Sequence, residues 1–74
     1  MPIINLEKTG MKLKDLIKKN DIKVIDLQKN LGFNNSQSIY KWFRGENLPT
    51  IDNLLIIATM LGVTIDDLLV KEMI

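Results

Sequence analysis

The sequence predicts an all-α fold, a compact five-helix domain with a short N-terminal extended segment. Three observations lead there. Apolar residues recur three and four positions apart along five separate stretches. Glycines, prolines and clusters of Asn, Ser and Thr fall between those stretches. Only residues 3 to 6 look extended, and they are too few to form a strand without a partner. A chain of 74 residues has room for one domain, and 46% apolar with 26% charged residues is a globular balance. The expected division is an arm or short strand over residues 1–9 and a helical domain over residues 10–74.

The first helix is expected from Gly10 to Asn20, with Leu13, Leu16 and Ile17 on its apolar face and Thr9 as N-cap. A second runs from about Lys23 to Asn30, burying Val24 or Ile25, Leu27 and Leu31, with Asp26 favoured by the helix dipole in its first turn. Gly32 ends it, and Phe33 is placed to fold back over the turn. Asn34-Asn35-Ser36 supplies capping residues for a third helix, Ser36 to Arg44, whose Ile39, Trp42 and Phe43 recur until Gly45. Glu46-Asn47-Leu48-Pro49 reads as a loop. Thr50 caps a fourth helix, made central and buried by Leu54, Leu55, Ile57, Ala58 and Leu61 and closed by Gly62. Thr64, with Asp67 three residues on, starts a last helix carrying Ile65, Leu68, Leu69 and Met73.

Several function classes are excluded by what is missing. The chain has no Cys and no His, so it builds no disulfide, no thiolate or imidazole metal site and no Cys or His catalytic pair. No enzyme activity, cofactor or metal is expected. The longest apolar run, Leu54 to Ala58, falls far short of the ~20 residues of a membrane span. The start lacks a signal-peptide pattern, and a cytoplasmic protein is expected.

The net charge of +1 conceals an asymmetry. Through Arg44 there are nine basic and four acidic residues, a net of +5; from Gly45 onward there are one and five, a net of −4. Such a chain can turn one face to phosphate while the other repels it, which favours orientation over indiscriminate binding.

The second and third helices, joined by a turn at Gly32, make the arrangement of a helix-turn-helix. The residues that surround them carry a more specific resemblance. Leu13-Lys14-Asp15-Leu16, Ile22 to Leu27, Leu31-Gly32-Phe33, Ile39-Tyr40-Lys41-Trp42, Arg44-Gly45, Leu48-Pro49-Thr50, Asp52-Asn53-Leu54-Leu55 and Leu61 to Leu69 follow one another in a familiar order and spacing. Over residues 11 to 70 the chain resembles the helix-turn-helix transcriptional regulators of the phage repressor, Cro and Xre type. The resemblance implies a lambda-repressor-like DNA-binding domain. Two departures stand out. Asn34-Asn35 looks like a one-residue extension of the turn, as in a subgroup of small bacterial regulators that pair it with Gln37-x-Ile39-Tyr40-Lys41-Trp42. An ion pair made by many members falls here on Ile17 and Phe43, both apolar, which avoids stranding a buried charge and predicts that the two touch.

What the resemblance implies about the site follows from the chemistry of duplex DNA, which offers phosphates on its rims and base edges in the major groove. Asn35, Ser36, Gln37, Tyr40 and Lys41 are the expected base contacts. Gln37 is suited to pair bidentately with adenine and Lys41 to donate to guanine. Lys23 and Arg44 are the expected phosphate contacts, which set register rather than sequence. The expected function is a sequence-specific regulator, in the sense of a repressor, acting as a homodimer on double-stranded DNA. Its interface would be made by Ile3, Ile4, Leu6, Leu69, Val70, Met73 and Ile74. No membrane and no small-molecule substrate are implied, and regulation is expected through concentration, proteolysis or a protein partner. The alternative is a protein-interaction or antitoxin-like adaptor that keeps the fold without specific DNA binding; the polar, basic face of the third helix speaks against it.

Overall fold

The computed structural model describes residues 1–74. Five helices, α1 (Leu6–Lys19), α2 (Val24–Leu31), α3 (Gln37–Phe43), α4 (Ile51–Leu61) and α5 (Ile65–Leu68), lie between two short strands, β1 (Pro2–Ile4) and β2 (Lys71–Met73). One apolar core joins all the helices: Leu13 and Ile17 of α1, Leu27 of α2, Ile39 and Trp42 of α3, Leu54, Ile57 and Ala58 of α4, and Leu68 of α5. No helix is long and apolar enough to cross a membrane.

Most helix ends follow from capping chemistry. Thr50 accepts from the Asn53 N–H, and Thr64 with Asp67 forms a full capping box. Gly32 and Gly62 close α2 and α4 in the left-handed conformation that a glycine adopts without a Cβ clash. Val24 is half-buried while Ile25 is exposed, which settles which of the two faces the core.

Four expectations are corrected. Thr9 is no cap: α1 begins earlier, at Leu6, where Asn5 caps it by accepting from the Lys8 N–H at 2.8 Å. Thr9 and Gly10 instead lie buried inside the helix. The chain after α5 is not helical to Met73 but turns extended at Leu69 and forms β2, whose Met73 is exposed. Leu55, assigned to the core, is 57% exposed, because only one stripe of α4 faces inward. Residues 2–4 do find a strand partner, from the opposite end of the chain. Pro2 pairs with Met73, Ile3 with Glu72 and Ile4 with Lys71 in antiparallel register.

Thr9 explains how the sheet is tied to the helices. Its Oγ1, fully buried, accepts from the Val70 N–H at 3.0 Å, while the Asn5 N–H donates to the Val70 carbonyl at 2.8 Å. Thr9→Val keeps the shape of the side chain but leaves the Val70 N–H without its partner. The expected cost is about 1–3 kcal/mol, read as a lower urea midpoint at unchanged slope.

The capping box also links stability to pH. The Thr64 backbone N–H and hydroxyl hold the Asp67 carboxyl below its ordinary range, against desolvation and with help from the Lys12 charge. A lowered native pKa means stability that is present above the ordinary carboxylate value of about 4 and lost as pH falls through the native one. Wild type should therefore exceed Asp67→Asn in Tm at pH 7, and the gap should close as the pH drops below about 4.

Candidate nucleic-acid interface

Helix α3 is held by one side and free on the other. Ile39 and Trp42 are buried, and Phe33, just past the Gly32 turn, sets its ring against Trp42 at 5.8 Å between centroids. The Phe33 N–H also donates to the Gln28 carbonyl, so the turn is locked to both helices. At its C-terminal end α3 meets α1 at backbone distance. A Cβ on Gly10 would lie 2.2 Å from the Trp42 carbonyl oxygen, and one on Gly45 would lie 2.7 Å from the Glu7 Cα. Two glycines thus let the helices approach closely enough to fix the rotation of α3.

That rotation gathers four of the expected residues. Gln37, Tyr40, Lys41 and Arg44, spaced i, i+3, i+4 and i+7, line one open groove on the outer face. All four are exposed. Tyr40 is 45% exposed and packs edge-on against Phe43, with centroids 6.0 Å apart, so its ring is positioned while its hydroxyl remains available. Arg44 is bonded through Nε to the carboxylate of Glu46, in the loop that follows the helix.

Asn35 and Ser36 precede the helix and lie outside this groove. The Asn35 Oδ1 accepts from the Gln37 N–H at 3.0 Å, an Asx-type turn that satisfies the first N–H of the helix, whereas Ser36, at the N-cap position, makes no side-chain capping bond. Lys23 is exposed at the start of α2 and lines a second cleft next to the first, together with Tyr40, Lys14 and Lys18. The last two were not foreseen as site residues. Their i, i+4 spacing on α1, which puts two charges on one helix face, was the available signal. Ile17 and Phe43 line this cleft as well, one buried and the other half-buried against the core.

The arrangement offers hydrogen-bond donors of three kinds, an amide, a phenol and two cationic groups, along about two turns of helix. It contains no cluster of acidic side chains suited to a metal ion. Its pattern is that of a surface which hydrogen-bonds to a polyanion with an edge to read.

Comparison with known proteins gives the same picture. The family model described as helix-turn-helix matches residues 13–68. A search of curated protein sequences finds no match. Among solved structures, the restriction-modification controller protein C.AhdI from Aeromonas hydrophila superposes with a TM-score of 0.73 at 24% identity, over 85% of this chain and 94% of that one. The DNA-binding domain of BldD superposes with a TM-score of 0.70 at 18% identity, over 89% of this chain and 94% of that one. The S. venezulae BldD DNA-binding domain gives the same score and identity, over 89% and 97%. With the family model spanning the core helices and the turn, the chain belongs to the helix-turn-helix family, as one of the DNA-binding regulators of the phage repressor, Cro and Xre type.

Proposed function

We propose that the protein is a transcriptional repressor that binds a specific, two-fold symmetric duplex site as a homodimer and reads the major groove with α3. One observation carries this reading: Gln37, Tyr40, Lys41 and Arg44 share a single exposed groove on a helix whose opposite side is buried. In this role Gln37, Tyr40 and Lys41 contact base edges, with Asn35 and Ser36 reaching the DNA major groove from the helix start. Lys23 and Arg44 contact phosphate on either side. Arg44 exchanges Glu46 for a phosphate when DNA arrives. DNA binding is assigned to residues 10–74, with residues 1–9 accessory to it, and to the cytoplasm.

Dimerisation is favoured because two recognition helices about one DNA turn apart multiply contacts that are weak singly. The exposed apolar side chains of Ile3, Ile4, Leu6, Met73 and Ile74, which gather around the β1–β2 sheet, are the proposed interface. The reading is tested by selection from random duplex DNA at moderate salt. Enrichment of a two-fold symmetric motif is expected. No enrichment, with no binding at low salt, would overturn it in favour of an adaptor that retains the fold alone.

A further inference from the structure

The second cleft is built differently from the recognition groove. It has a volume of about 480 Å³, within the ~300–1,000 Å³ of small-molecule sites. Ile17, Ile22, Val24, Tyr40 and Phe43 give it an apolar lining, and the remaining wall is Lys14, Lys18 and Lys23 opposed by the single carboxylate of Asp21. None of these lysines makes an ion pair within the protein. A DNA phosphate satisfies the lysines but has no apolar body to cover the lining. A neutral hydrophobic molecule covers the lining and leaves the cations unmatched. The occupant that answers both is an organic anion with a ring-sized apolar body and one acidic head.

We propose that this cleft is an effector site for a small amphipathic anion of the aromatic carboxylate or sulfonate class. Tyr40 is the one side chain that lines both the cleft and the recognition groove. Lys23, the proposed phosphate contact at the start of α2, is part of the cleft wall. A ligand seated there engages Lys23 and presses on the face of Tyr40, so its binding opposes DNA binding, and by linkage DNA opposes the ligand to the same degree. This coupling rests on the proposed DNA reading; occupancy of the cleft does not.

The test uses 1-anilinonaphthalene-8-sulfonate as the probe and the full chain, first without DNA. Saturable one-to-one binding is expected, with amide shifts confined to residues 14–24 and 40–43. Lys14→Gln/Lys18→Gln, both at exposed positions, should weaken it about tenfold. The uncharged N-phenyl-1-naphthylamine should bind more weakly by a similar factor. Shifts centred on residues 1–4 and 71–74, or affinity unchanged in the double variant, would overturn the site. In a separate arm, saturating probe should weaken duplex binding, and unchanged duplex affinity would overturn the coupling. Probe binding in the cleft by a chain that binds no DNA would leave the site standing and sink the DNA reading.

Discussion

Gly10→Ala is expected to destabilise the protein by at least ~2 kcal/mol, although alanine in a helix interior normally gains about 1 kcal/mol over glycine. The reason is the position of the added methyl, 2.2 Å from the Trp42 carbonyl oxygen and 2.8 Å from that of Phe43. Both are backbone atoms, so no side chain can swing aside, and the Trp42 carbonyl already accepts from the Gly45 N–H at 3.0 Å. Relief requires α1 to move off α3, which loosens Leu13 and Ile17 from the core. A domain of this length has roughly 4–11 kcal/mol in total, so the loss is a large share. Urea denaturation measures it; a variant as stable as wild type would contradict the close approach of the two helices. The same displacement turns the outer face of α3, so DNA binding should fall with stability.

The second large effect separates the residues that read from those that grip. Gln37→Ala should cost about 1–3 kcal/mol of discrimination at one base-pair position and leave preference elsewhere intact. Arg44→Ala should weaken all duplexes alike and lower the slope of log affinity against log salt by about 1. Fluorescence anisotropy over single-base variants of the selected site, repeated at several salt concentrations, resolves both. If Arg44→Ala alters preference at one position and Gln37→Ala lowers every affinity equally, the two roles are reversed.

Much of this was legible in the sequence because it is encoded locally. Thr50, Thr64 with Asp67, Gly32 and Gly62 mark helix ends by chemistry that operates within four residues, and each does so in the structure. The alternation of Ile39 and Trp42 with Gln37, Tyr40, Lys41 and Arg44 fixes which side of α3 faces out. What escaped depends on partners distant in the chain. Thr9-Gly10 resembles a helix start, and only the packing of α3 makes Gly10 an interior residue and only Val70 gives Thr9 a partner. The β1–β2 pairing joins residues about seventy positions apart, and strands of three residues carry no period to find. Leu55 looks like core because nothing in an apolar run states which stripe is covered. Lys14 and Lys18 became part of a site only when α1 met α2 and α3 around one cleft.

The central claim is that the outer face of α3 meets duplex DNA. It is tested most directly by following the backbone amides of the isotope-labelled full chain as the selected duplex is titrated in. The largest shifts should fall on residues 35–44 and around Lys23, with the amides of α4 and α5 little changed. Shifts centred on the β1–β2 sheet or on α4, with residues 35–44 unmoved, would contradict it.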